Sequence, residues 1–283
     1  MRAGRTVAAM FGLALLTSLV LSPAAGAGSR SDLAPAPRLP GPVRCHGCWE
    51  PGIRTAWQWQ LPSQPAPRDL LDVRMYDVDG FDTSRALVRT MHRREIKVVC
   101  YLSAGSWEEW RPDADDFPET VMGEHFGWPG ERLLDIRRLD ILRPIMRARI
   151  AMCADKGFDG VEFDNVDGYQ NDTGFPLTGA DQRRYNVWLA NEAHRHGMMA
   201  LLKNDLGQVA ALEPYFDGAL NEQCHQYDEC GRLDRFIEAG KPVFGVEYEL
   251  PVDDFCPQAN AHDFNFLKKR YNLGPFRIAC RGV

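Results

Sequence analysis

The chain has 283 residues, with 33 basic and 39 acidic side chains and a formal charge of −6 at neutral pH. An acidic surface argues against nucleic acid and anionic membrane as partners and suits a cationic substrate. The length is that of one large α/β domain, with enough chain to bury a substantial core.

The N-terminus reads as a secretory signal peptide over residues 1–27. Arg2 and Arg5 form a basic start, an apolar run extends from Val7 to Leu21, and Ala25-Gly26-Ala27 forms the cleavage site. A membrane anchor would need a longer uninterrupted span. Loss of the two arginines takes the charge to about −8. Residues 28–44, rich in Pro, Ala and Ser, read as a loose leader, and residues 45–283 as a single domain. That domain has eight cysteines, and an even count in an exported chain favours disulfides. Cys224 and Cys230 flank a short loop and are expected to bridge; Cys256 with Cys280 is a second expected pair. Cys45-His-Gly-Cys48 has the spacing of a zinc or redox pair, but no second pair lies at zinc-finger distance and the compartment is oxidising.

Past the leader, apolar strand-like runs alternate with helical ones. Strands are expected at Thr55–Leu61, Val73–Asp79, Ile96–Leu102, Gly160–Asp164, Met199–Lys203, Gly218–Glu222, Pro242–Glu247 and Phe276–Cys280. Between them, apolar residues recur at helical spacing, as in Leu142, Ile145, Met146, Ile150 and Cys153, or Tyr185, Trp188, Leu189 and Ala193. Thr178-Gly-Ala-Asp181 reads as a capping box, Gly157 as a helix end, and the last helix is expected over Gln258–Tyr271. Eight strands alternating with helices imply a parallel sheet, and at this length a single (β/α)8 TIM barrel. A doubly wound sheet ranks second, because no Gly-rich phosphate loop follows the first strand. The connection Ser103–Arg138 is too long for a simple loop. With Trp107, Trp110 and Trp128 it is expected to fold over the barrel mouth.

The stretch Gly160-Val-Glu-Phe-Asp164 organises the rest. Strand alternation puts Val161 and Phe163 on one face, and Glu162 and Asp164 on the other. Carboxylates on an inner face are costly unless paired or used. Active sites of such barrels form at the C-terminal strand ends. There the chain delivers Trp57, Trp59, Asp77, Asp79, Tyr101, Asp164, Asn165, Asp167, Tyr169, Lys203, Asn204, Asp205, Glu222, Glu247 and Tyr248. Carboxylates, amides and aromatic rings together describe a sugar site. Glycoside hydrolysis needs two carboxyl groups about an oxocarbenium-like centre, and Asp164 and Glu222, on the fourth and sixth strands, suit that pair. Glu162 is expected to be a structural carboxylate paired with Lys203.

The motifs Val99-Cys-Tyr-Leu-Ser-Ala-Gly-Ser106, Trp110-Arg-Pro-Asp113, Gly157–Asp167, Leu202-Lys-Asn-Asp205, Asn221-Glu-Gln-Cys224 and Val246-Glu-Tyr248 together resemble glycoside hydrolase family 114, the endo-α-1,4-polygalactosaminidases. The resemblance covers nearly all of the chain after the leader. It implies a secreted (β/α)8 enzyme that cleaves α-1,4-linked galactosamine polymers, with Asp164 as nucleophile and Glu222 as general acid/base. The arrangement is similar to that of retaining α-galactosidases. The ammonium groups of such a polymer match the acidic rim. Trp57, Asp77, Asp79, Tyr101, Trp128, Asn165, Asp167, Tyr169, Lys203, Asn204, Glu247 and Tyr248 are the expected substrate-binding residues. The polysaccharide is the expected partner, with no nucleic acid, no membrane after signal cleavage, no metal or cofactor, and a monomeric enzyme.

Two other readings compete. Lys203 at a strand end could form a Schiff base in a lyase, though neighbouring Asn204 and Asp205 favour its protonated form. A barrel that only binds an amino-sugar polymer is the other, and the presence of both Asp164 and Glu222 speaks against it.

Overall fold

The computed structural model describes residues 39–281. The expected signal peptide over 1–27 and the leader as far as residue 38 lie outside the described residues. The end of the leader is tied down: the Val43 amide donates to Asn191 Oδ1 at 2.6 Å, and the Tyr215 hydroxyl donates to the Pro40 carbonyl at 2.9 Å.

The strands, in chain order, are β1 (Trp57–Gln60), β2 (Met75–Asp79), β3 (Lys97–Ser103), β4 (Ser106–Glu108), β5 (Met122–His125), β6 (Glu131–Leu134), β7 (Gly160–Asp164), β8 (Met199–Lys203), β9 (Gly218–Glu222), β10 (Val243–Glu247), β11 (Asn265–Lys268) and β12 (Ile278–Ala279). The helices are α1 (Arg85–Arg93), α2 (Leu139–Lys156), α3 (Gly179–Arg195), α4 (Val209–Leu212), α5 (Asp234–Glu238) and α6 (Val252–Ala261). Strands β1, β2, β3, β7, β8, β9, β10 and β11 pair in that order, all parallel, and β12 adds antiparallel to β11. This is the expected (β/α)8 barrel. Alternation along the strands sorts the core into two parts. Trp57, Trp59, Met75, Val99, Leu201, Leu220, Phe244, Val246 and Leu267 fill the barrel interior. Val78, Cys100, Val161, Phe163, Leu202 and Ala219 face outward, onto Leu87, Val88, Leu142, Ile150 and Leu189 of the helices.

The helix ends follow their local chemistry. Gly157 closes α2 at φ 92°, and the capping box of Thr178 and Asp181 opens α3. Four disulfides join Cys45–Cys48, Cys100–Cys153, Cys224–Cys230 and Cys256–Cys280.

The expected eighth strand is corrected. The eighth parallel strand is Asn265–Lys268, and within Phe276–Cys280 only Ile278–Ala279 pairs, antiparallel. The helix expected to reach Tyr271 stops at Ala261, where Asp263 turns the chain at φ 60°. Inward Asn265 and Leu267 of the strand alternate with outward Phe266 and with Phe264 just before it, so tertiary packing overrides a stretch that reads as helix. No backbone ladder joins β1 to β11 among the described residues. The seam is closed instead by Trp57 Nε1 donating to the Asn265 carbonyl (2.8 Å), Gln58 Nε2 donating to the Pro275 carbonyl (3.0 Å) and the Leu61 amide donating to the Leu273 carbonyl (3.2 Å).

The long connection after β3 builds an antiparallel flap, in the order β4-β6-β5. Two buried arginines anchor it. Arg111 binds Glu108 and reaches Asp79 at 2.8 Å, while Arg149 of α2 binds Asp113 at 2.7 Å and the Ser103 carbonyl at 2.9 Å. The Trp110-Arg-Pro-Asp113 motif is thus a fastening between flap and barrel. Gly105 is where flap and site meet. Its amide donates to the Asp164 carbonyl, its own carbonyl accepts from Leu134, and a Cβ there would stand 1.6 Å from the Asn165 carbonyl oxygen. Gly105→Ala is therefore expected to cost about 1–3 kcal/mol of stability and to lower turnover as well, measured by denaturant unfolding alongside an activity assay.

Candidate active site

The strand ends open on a pocket of about 510 Å³. At its floor lies the ammonium of Lys203, the last residue of β8. It donates to Glu162 at 3.1 Å and Asp164 at 2.8 Å on β7, and lies 3.2 Å from Glu222 on β9. The face of Trp59 stands 4.7 Å away. Lys203 and Glu162 are fully buried, whereas Asp164 and Glu222 keep 19% and 27% of their side chains exposed toward the pocket.

Electrostatics follow from this cage. Burial acts against the Lys203 charge, but Asp164, Glu222 and Glu162 outweigh it and hold the ammonium protonated well above its ordinary range. A Schiff-base lysine needs the opposite shift. Burial also pushes the Asp164 carboxyl up. The Lys203 charge and the hydrogen bonds from Lys203 and Tyr101 more than offset this, leaving Asp164 below its ordinary value and ionised. Beneath, burial and the neighbouring Glu162 raise Asp77 far above its ordinary value, so it stays neutral. Glu162 is raised to about 7 by burial, with Lys203 opposing.

Hydroxyl and amide groups fix the two accessible carboxylates. The Tyr101 hydroxyl donates to Asp164 Oδ2 at 2.8 Å, and the Tyr248 hydroxyl donates to Glu222 Oε1. Asn204 Oδ1 accepts from the Glu222 amide at 2.9 Å, setting the end of β9. Asn165 Nδ2 donates to Ser103, Ser106 and Glu131, tying the loop after β7 to the flap.

Of the expected site residues, Tyr101, Trp128, Asp164, Asn165, Asp167, Lys203, Asn204, Glu222 and Tyr248 line the pocket. Five others do not. Trp57 is one layer too deep, inside the barrel core. Asp77 lies in the same interior under Glu162, and Asp79 is consumed by Arg111 and by the amides of Phe81 and Asp82. Glu247 points outward from β10 and accepts from the His225 amide at 2.9 Å. Tyr169 sits behind the wall, beside Gly207. Glu162 is paired with Lys203, as anticipated. Trp59 and Asp205, already named among the strand-end groups, line the pocket too, and so do Glu131, Tyr227 and Tyr271, which the sequence did not single out. Tyr271 stacks on Tyr248 at 4.4 Å. It was hidden because its segment reads as helix.

Two carboxylates at the mouth of a (β/α)8 barrel, one of them held ionised by a buried cation and both facing an open aromatic pocket, define a barrel glycosidase. The chain belongs to glycoside-hydrolase family GH114, whose profile matches residues 42–283. It is similar to Aspergillus fumigatus Ega3, whose crystal structure is a complex with galactosamine: 37% identity, 82% of this chain and 97% of that one covered, TM-score 0.78. The glycoside hydrolase domain of PelA from Pseudomonas aeruginosa shares the fold at 15% identity, with 79% and 98% covered and a TM-score of 0.65. An uncharacterized Deinococcus radiodurans protein is 27% identical over 212 residues, which is 65% of this chain and 66% of that one.

Two outcomes follow from these charges. Lys203→Ala leaves three carboxylates facing one another and is expected to cost about 3–5 kcal/mol, read by denaturant unfolding. The second concerns pH. Burial raises Glu162 and Glu247 to about 7, Asp167 to about 6 and Asp205 to about 8. Above the ordinary carboxylate range the folded protein therefore holds more protons than the unfolded chain, and stability falls as pH rises through these values. The melting temperature is expected to drop as pH rises from about 4.5 to about 8, as checked by scanning calorimetry.

Proposed function

We propose that the protein is a secreted endo-acting glycoside hydrolase that cleaves α-1,4-linked galactosamine polymers with retention of configuration. The observation that carries this reading is that Asp164 and Glu222 share one ammonium. Their oxygens lie 2.8 and 3.2 Å from Lys203 Nζ, so the nearest oxygens of the pair are at most about 6 Å apart, which favours the close spacing of retaining pairs. In a pair so spaced the second carboxylate acts as nucleophile, without an intervening water.

In this mechanism Asp164, ionised and held at both oxygens, attacks the anomeric carbon. Glu222 gives a proton to the departing glycosidic oxygen. Glu222 then takes a proton from the water that releases the glycosyl–Asp164 ester. Exposed Trp128, Tyr227 and Tyr271 come from three separate connections around the pocket and offer stacking surfaces along a chain rather than one closed end, which supports internal cleavage. The likeness to a galactosamine-binding relative at 37% identity supports an amino-sugar polymer. The disulfides support an oxidising compartment, and among the described residues no helix is long and apolar enough to cross a membrane.

The test is incubation with partly deacetylated α-1,4-galactosaminogalactan, with the fully acetylated polymer and chitosan in parallel, and mass spectrometry of the products. Short hexosamine oligomers from the first polymer alone are expected. Retention on the polymer without products would favour a binding protein instead. Asp164→Asn and Glu222→Gln should each lower turnover by about 10²–10⁴-fold with the melting temperature nearly unchanged. Near-full activity in either variant would remove that residue from its role.

A further inference from the structure

A second pocket, of about 430 Å³, lies along the seam between β1 and β11, apart from the catalytic mouth. A (β/α)8 barrel places a helix after its last strand, but among the described residues β11 is followed only by β12. The outer side of this junction is left as a groove bordered by Trp57, Phe266 and Leu267. Strand β12 runs antiparallel to β11, with Arg277 just before it and Arg281 two residues past its end, and both arginines line the groove. Four residues of extended chain set them about 13 Å apart, so they stand at different ends.

The two ends differ in charge balance. Arg281 and Arg54 share one carboxylate: Asp263 Oδ1 accepts from Arg54 at 2.9 Å and from Arg281 at 2.8 Å. Arg277 makes no ion pair or hydrogen bond among the described residues, and its Nε is buried without an acceptor. The group that opposes its burial is the phenol of Tyr76, and burial raises that phenol above its ordinary value, so it is neutral. A second cation lies near. Lys269 is 1% exposed and donates to Gln58 Oε1 at 3.1 Å and to the Gly274 carbonyl at 2.7 Å, both uncharged acceptors. Burial, followed by the charge of Arg277, lowers it to about 7. One end of the groove thus carries two cations with no carboxylate beside them, in a chain of net charge −6. A cation drawn out of water without a counterion costs free energy.

We infer that Arg277 and the groove beside it form a binding site for a small organic carboxylate. The carboxylate takes the guanidinium's fork of donors, a pairing that suits two oxygens in one plane. The body of the ligand lies along the apolar stretch between the two ends and removes it from water. An inorganic oxyanion would satisfy Arg277 but leave that stretch bare, which is why an organic acid fits better. The site stands on a different junction of the barrel from Asp164 and Glu222, and it does not depend on the proposed glycosidase activity.

The experiment titrates the full-length protein with p-bromobenzoate by calorimetry, with p-bromobenzamide as the neutral analogue and sulfate as the bare oxyanion. Arg277→Gln, which removes the charge and keeps a polar side chain, is titrated in the same way, with the melting temperature as a folding control. Wild-type crystals soaked in p-bromobenzoate locate the bromine by its anomalous scattering. The wild type is expected to bind p-bromobenzoate about tenfold or more tightly than either control. Folded Arg277→Gln is expected to lose that preference, and the bromine to lie in the groove beside Arg277. Equal binding of the benzamide would make the groove an apolar one only, and equal binding of sulfate would make it a bare charge; either result overturns the carboxylate site. So does an unchanged preference in folded Arg277→Gln, or bromine found only elsewhere, as an adventitious additive only. If Arg277→Gln does not fold, the position of the bromine in the wild type decides.

Discussion

A single buried ammonium sets the terms for the barrel mouth. Lys203 touches Glu162, Asp164 and Glu222, and these come from the two strands flanking its own. Without a cation at that point, three carboxylates within reach of one atom could not all ionise. With it, the charges rank by depth. Asp77 at the bottom is neutral, Glu162 above it titrates near 7, and Asp164 at the surface of the pocket is ionised at any physiological pH. The same cage excludes a nucleophilic lysine, since the charge that orders the acids is the charge such chemistry would have to remove.

Around that centre, neighbouring groups are spent on alignment. Tyr101 and Tyr248 each address one carboxylate, Asn204 holds the amide of Glu222, and Asn165 ties the loop after β7 to the flap. Arg111 and Arg149 fasten the flap from below. Several of these polar residues read in the sequence as a rim of binding groups. In the fold they form a frame in which few groups remain free for a ligand.

That distinction explains what could be read in advance. The alternation in Gly160–Asp164 was legible because strand geometry alone sends Glu162 and Asp164 inward, and the pairing of Glu162 with Lys203 follows from the cost of a bare inner carboxylate. The barrel was legible from its alternating elements. Asp79 and Glu247 were misplaced for a different reason: a strand end names a residue but not its partner, and Arg111 and the His225 amide reach them from distant parts of the chain. Trp57 differs from Trp59 only by one layer of depth. Tyr271 could not be found while its segment read as helix, because the eighth strand is only four residues long and is specified by packing of Phe264 and Phe266 rather than by local propensity.

The seam between β1 and β11 has a consequence for how the molecule moves. Every other junction in the barrel is a ladder of parallel backbone bonds, whereas this one is held by a few side-chain and loop contacts at Trp57, Gln58 and Leu61. It is therefore the junction with the least cooperative protection against opening. Tyr271 and Leu273, which line the pocket, belong to the segment that fills it. That side of the pocket wall therefore rests on the junction with the weakest backbone pairing, away from the strands that carry Asp164, Lys203 and Glu222.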